Sequence, residues 1–411
     1  MTVTAPPPEA PRPSLGQEPL DVEAQEALIK EARRRARRRQ MGYAASTLAV
    51  GAIVLAGFGV SHRGGGRAGH SGDSAAPSIV APISNLPANG VLAIEDNKGL
   101  DWSNPDRLFA VNGDGSGMRQ LARCQGTGGD CYFGAYSWSP DGTHLAFLSG
   151  HVGGAITITN LFLFVVNSDG TGIRRLARCG NCDTAQNLSW SPDSRRIVFA
   201  TGGEGSAPNL IIVNAATGAE RRLPASGVNP VWSPAGTRIA FGQGAALFSI
   251  KADGSGIAQL ALEDSVANPA WSPDGTKITF DARNGVYVVD AEGSHLRLLF
   301  SNDGPGYPSW SPGGNRILFL DTPRVATRFA AEVWTMKPDG SGQRSLYRSP
   351  CCGIWSPPIW SPDGKAIALG MFSGAGFTEK GIVVMDAHGN HQRKVLGNPE
   401  AIAWQPIPRT P

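Results

Sequence analysis

Three features of the 411-residue sequence predict an all-β, seven-bladed propeller preceded by one transmembrane helix. Seven of its ten tryptophans, Trp138, Trp190, Trp232, Trp271, Trp310, Trp360 and Trp404, recur at spacings of 52, 42, 39, 39, 50 and 44 residues. Six of the seven are followed by Ser-Pro, as in Trp138-Ser-Pro-Asp-Gly and Trp360-Ser-Pro-Asp-Gly. Glycine and proline make 84 of the 411 residues, well above the ordinary ~12%, and show no collagen-like period. A period of about 40 residues with strand-like content marks propeller blades. The turn-forming composition asks for many short strands.

The chain begins with a tail, residues 1–40. Pro6, Pro7, Pro8, Pro11, Pro13 and Pro19 predict disorder at its start. From Asp21 to Gln40, early acidic and late basic residues suit the dipole of a helix. Residues 41–60 (MGYAASTLAVGAIVLAGFGV) carry no charge over 20 positions, enough to span a hydrocarbon core of ~30 Å as a helix. Arg33, Arg34, Arg35, Arg37, Arg38 and Arg39 precede this run, and only Arg63 and Arg67 follow it closely. That asymmetry orients the helix with its N-terminus in the cytoplasm and the rest outside, as a single-pass signal-anchor at the cell membrane. Residues 61–88, rich in Gly, Ser, Ala and Pro, read as a flexible tether, and residues 89–408 as the propeller.

In each repeat Trp ends an inner strand and packs between neighbouring sheets. Pro sets φ for the following turn, Asp accepts backbone hydrogen bonds, and Gly takes the left-handed position. Ser194, Ala235 and Gly313 depart from this phrase. After Trp271 a second strand runs through Ile278, Thr279 and Phe280, a third from Val286 to Asp290, and a fourth around Leu296 to Leu299. The third and fourth meet at an Ala-Glu-Gly turn that reads Asp-Gly in other repeats. One Asp per hairpin is turn chemistry; a calcium ion needs six to eight oxygens. At the ends, 91–96, 107–112 and 118–123 make three strands of a blade without an inner strand, and 399–406 supplies one with Trp404. Joining them closes a ring of seven and hides its edges. A six-bladed ring would leave the N-terminal strands outside.

The Trp-Ser-Pro-Asp-Gly-x-x-Ile/Leu-Ala-Phe pattern resembles the WD40-like (PD40) repeat of TolB-type propellers, a repeat also found in the propellers of dipeptidyl-peptidase-IV-like proteins. The resemblance spans residues 90 to 406. It implies a propeller fold, while the motif positions themselves build scaffold.

Chemistry has no carrier in the sequence. No nucleophile elbow, zinc-protease helix or phosphate loop occurs, so no catalytic, metal or cofactor residue is assigned and the chain reads as a non-enzyme. The net charge of +3, of which +2 falls in the first 60 residues, argues against a nucleic-acid surface. His388 and His391 flank a turn. Cys124, Cys131, Cys179, Cys182, Cys351 and Cys352 all follow the membrane run, between the fourth strand of one blade and the first of the next. They read as three local disulfides outside the cytoplasm, with a Cys₄ zinc site from the first four as the rival.

One face is predicted to bind. From Phe147 to Leu163 is 16 positions and from Phe319 to Val333 is 14, against 6 from Phe280 to Val286. The extra residues fall between the second and third strands, in loops at 149–160 and 321–332, on the face where the cysteine loops emerge. His151, Arg324, Arg328 and Phe329 are the candidate contacts. The expected ligand is a protein, a peptide or an envelope glycan, held without catalysis. A membrane sensor with a cytoplasmic contact helix, or an envelope hydrolase or lyase, are the alternatives.

Overall fold

The structure is a computed structural model that describes residues 90–96, 107–123, 130–153, 157–180, 187–201, 208–301, 306–321, 331–349, 354–373, 379–397 and 402–406. The tail, the membrane run and the tether lie outside these residues. Among the described residues no helix is long and apolar enough to cross a membrane.

The described strands form seven four-stranded antiparallel sheets. The first blade is composite, in the order Ile402–Trp404, Val91–Asp96, Arg107–Asn112, Arg119–Arg123. Its closing pair aligns Leu92 with Trp404, Ala93 with Ala403 and Ile94 with Ile402. The other six blades occupy 130–180, 188–226, 228–262, 267–301, 309–348 and 354–397, and run from inner to outer strand in chain order. The seven-bladed reading and its closing strand are thus present, and the six-bladed alternative is not.

The core is divided among the gaps between blades. Seven clusters of buried apolar residues each draw on two adjacent blades. The reason lies in the strand period of two: both faces of every blade meet a neighbour, so the middle strands are apolar on both sides. Nine residues after five of the tryptophans stand Phe147, Phe199, Phe241, Phe280 and Phe319, the five largest fully buried side chains. Each such burial is worth about 1.5–3 kcal/mol. The tryptophans end their inner strands as predicted; six are buried, and Trp310 is half-buried.

One prediction fails at 149–160. Instead of a loop, blade 2 carries long strands, His144–Gly153 and Thr157–Asn167. The added residues Val152, Thr157, Ile158 and Thr159 are β-branched and favour a pleated ladder. They extend the hairpin, which the inner strand Asp130–Trp138 follows by pairing Asp130 with Val152. His151 therefore lies in a strand, opposite both Cys131 and Thr159. Of the predicted loop at 321–332, Asp321 closes one strand and Glu332 opens the next, paired with each other; 322–330 lie outside the described residues.

Candidate functional site

Alternating strand directions give the ring two faces. The first carries the Ser-Pro-Asp-Gly turns and the Asp-Gly turns. In blade 5 the Ser272 hydroxyl donates to Asp274 at 2.6 Å, and the Thr276 amide donates to the same oxygen at 3.0 Å. The Ser272 hydroxyl and the Thr276 amide hold the Asp274 carboxyl below the usual carboxylate range. Gly275 takes φ of 72° in this turn, as the left-handed position requires. In the Asp-Gly turns, Asp114, Asp169, Asp253 and Asp339 each accept the amide two residues on. These carboxylates serve their own turns. His391 Nδ1 lies 3.0 Å from the Asp386 carboxylate on this face. Among the described residues no cluster of three or more His, Cys, Asp or Glu could hold a metal.

A set of arginines on the outer strands, which the motif reading did not single out, ties this face together. Arg119 donates to the carbonyl of Ser168 at 2.8 Å, Arg174 to Ala216 at 2.7 Å and Arg297 to Asp339 at 2.7 Å. Arg221 reaches Ala252 in the same way. Each crosses from one blade to the third-to-fourth-strand turn of the next. Blade 4 has Ala258 at this place, and its junction with blade 5 is bridged instead by Arg238 and Glu292 at 3.3 Å.

The opposite face carries the blade-to-blade connections and the extended hairpin of blade 2. Arg324, Arg328 and Phe329, with Cys124, Cys182, Cys351 and Cys352, lie outside the described residues. Cys179, at the end of Arg174–Gly180, is buried and disulfide-bonded. Cys131 lies in the inner strand Asp130–Trp138. Both sit on strands and not in the connections expected for them. Glu332 is 6% exposed, accepting from Arg348 at 2.7 Å and from the Ser345 hydroxyl at 3.2 Å.

On this same face the structure assembles a polar belt at the inner ends of blades 4 to 6. The inner strands of blades 4 and 5 bulge, and Asn229 and Asn268, three residues before their tryptophans, adopt φ of 52° and 48°. Tyr307 holds the same place in blade 6, with φ of 43°. Asn229 Nδ2 donates to Asn268 Oδ1 at 2.7 Å, joining blade 4 to blade 5. Asp281, at the end of the second strand of blade 5, accepts from the backbone N–H of Gly306 at 3.3 Å, joining blade 5 to blade 6. Burial pushes the Asp281 carboxyl up to about 6, against the opposing pull of Asn268 and the Gly306 amide. Burial also raises the Tyr307 phenol, helped by the charge of Asp281.

A repeat alignment holds the signal for this belt. The residue after the strand-two core position is Leu148, Ala200, Gly242, Leu320 or Gly370 in five blades, and acidic only at Asp281 and Glu95. Left-handed asparagine and tyrosine together with a dry carboxyl are the kind of strained, polar feature that concentrates at functional sites.

Residues 188–349 match the model of the PD40 family, the TolB beta propeller domain. The matched repeats are the ones that build blades 3 to 6. No curated protein matches the chain. Among solved structures, an oligogalacturonate lyase in complex with manganese is similar at 14% identity and a TM-score of 0.52, over 75% of this chain and 86% of that one. A prolyl endopeptidase is similar at 12% identity and a TM-score of 0.54, over 78% of this chain and 51% of that one. TolB from Acinetobacter baumannii aligns at 16% identity and a TM-score of 0.46, and this chain spans 64% of its length. At these identities the likeness is one of fold alone.

Proposed function

We propose that this chain is a binding module: a propeller held at the cell membrane by residues 41–60, outside the cytoplasm, which captures a protein, peptide or envelope glycan without chemistry of its own. The observation that carries the reading is the concentration of irregular features on one face. The hairpin of blade 2 stands out there by four residues beyond the six of the equivalent strand in blade 5, about 13 Å at ~3.3 Å per residue. The polar belt lies on that side, and the other face is spent on turns that satisfy themselves. Rigid strands beneath such a projection lower the ordering cost of binding.

The cysteines, read as local disulfides, would brace the same face, with Arg324, Arg328, Phe329 and His151 as contacts. The test shortens 149–160 to the tight four-residue connection of blade 5 in the full-length protein. The expected result is a ring that still folds, with its melting temperature lowered by the lost ladder pairs, and loss of whatever envelope component the wild type retains. Retention at unchanged affinity would place the site elsewhere. For topology, a reporter fused after Pro411 should be active only outside the cytoplasm, and recovery of the full-length protein in the soluble cytosolic fraction would overturn the anchor.

A further inference from the structure

We propose that Asp281 makes the junction between blades 5 and 6 proton-sensitive: the protonated carboxyl lets the junction close, and the ionised carboxylate loosens it.

The geometry is that of a carboxyl with too few partners. Asp281 is 4% exposed, and its Oδ1 is buried with no hydrogen-bond partner. Its Oδ2 has the Gly306 N–H at a long 3.3 Å. A buried charge half-satisfied in this way costs free energy that its neutral form avoids. Among the described residues the surroundings supply no counter-charge. The Asn268 amide, from the inner strand of the same blade, favours the charged form by hydrogen bonding but brings no charge, and Val286 is paired with Asp281 on the third strand. Gly306 and Tyr307 face it from blade 6, and Tyr307 alone of these titrates, with its phenol raised above its ordinary value and so neutral. Gly306 is in turn held to blade 6 by the Leu320 amide at 2.7 Å. A Cβ on Gly306 would stand 2.5 Å from a Val286 methyl and 3.5 Å from the Asp281 Cβ, so the two blades touch at this point.

The sign follows from the raised value. The folded carboxyl titrates near 6 and the unfolded one near 3.8, so the folded state holds the extra proton between them. Stability from this group therefore rises as pH falls through 6 towards 4, and is lost as pH rises through 6. Ionisation falls on the segment 306–307, which leads into the inner strand of blade 6, so loosening begins on the face proposed to bind.

The test compares the full-length wild type with Asp281→Asn and Asp281→Leu. Leucine occupies the equivalent place at Leu148 and Leu320, so the second variant keeps a side chain that the ring already uses. Between about pH 7.5 and about pH 5 the wild-type unfolding equilibrium constant should fall about tenfold more than that of either variant. Hydrogen exchange of the peptide covering 306–321, corrected for intrinsic rate, should slow on acidification in the wild type alone. Parallel pH profiles in wild type and variants, or equal exchange at both pH values, would overturn the proposal.

Discussion

The indole Nε1–H of Trp138 donates to the backbone carbonyl of Ala403, 3.2 Å away and 265 positions later in the chain. The same bond recurs at Trp190 with Ser137 at 2.8 Å, at Trp271 with Val231 at 3.3 Å and at Trp310 with Ala270 at 3.2 Å. Each time the acceptor is the residue before the tryptophan of the preceding blade. Ala403 precedes Trp404, so the C-terminal strand obeys the rule of an inner strand although it closes a sheet begun at Val91.

Replacing Trp190 with Phe keeps most of the apolar area and removes the donor to Ser137, which should cost about 1–2 kcal/mol. Trp232 offers the contrast, since its Nε1 has no partner and Arg196 covers its ring at 4.8 Å. Trp232→Phe should cost less than Trp190→Phe. Denaturant unfolding of the two variants reads the difference.

Ser194 stands where other Ser-Pro-Asp turns have glycine, and holds φ of 57°. Its hydroxyl accepts the Asp141 amide of the neighbouring blade at 3.1 Å. Ser194→Ala keeps the strain and loses the bond, and should destabilise by about 1 kcal/mol. Ser194→Gly relieves about as much strain as it loses in bonding, and should melt within a degree or two of wild type, by the ~2–4 °C that one kcal/mol moves a domain of this order.

Arg297→Ala should lower stability by about 1 kcal/mol through loss of a partly exposed, charge-assisted bond. Ala258→Arg should restore the missing clasp between blades 4 and 5 and leave stability unchanged or raised. Thermal melts of both variants check the pair.

His295 and His391 sit at φ of 54° where four other blades have glycine, and only these two blades end the third strand in Asp. His295 Nδ1 lies 2.6 Å from the Asp290 carboxylate. His295→Gly should be near neutral and His295→Ala destabilising by about 1 kcal/mol, because both lose the contact with Asp290 and only glycine relieves the left-handed strain in exchange. Lys277 and then His295 hold Asp290 down to about 2. That stability is present above the ordinary carboxylate range and is lost as pH falls from about 4 towards 2. Asp290→Asn should flatten the acid limb of the pH–stability curve, the limb opposite to the one Asp281 shapes.

The repeat made the ring legible because one tryptophan, one turn and one core phenylalanine recur in register, and each is bound to a local geometry. The closing strand could be read because the first three strands lacked a partner. Residues 149–160 were misread because an insertion between strands has the same length whether it loops or extends the ladder, and only pairing with 130–138 decides. Asp281, Asn229 and Asn268 were passed over because their meaning lies in contacts between blades, which a one-blade phrase does not contain. The arginine clasp was missed for the same reason: Arg119 and Ser168 are 49 positions apart.

Removal of residues 399–411 tests the closure of the ring most directly. The deletion strips Ile402 and Trp404 from the core shared by the first and last blades and bares the Val91–Asp96 edge. Truncation of one large aromatic costs about 3–5 kcal/mol, a large part of the ~5–15 kcal/mol that holds a domain folded. Differential scanning calorimetry of the truncated full-length background should show a clearly lowered melting temperature and a less cooperative transition. Melting at the wild-type temperature with unchanged cooperativity would contradict a seven-bladed ring closed by its C-terminal strand.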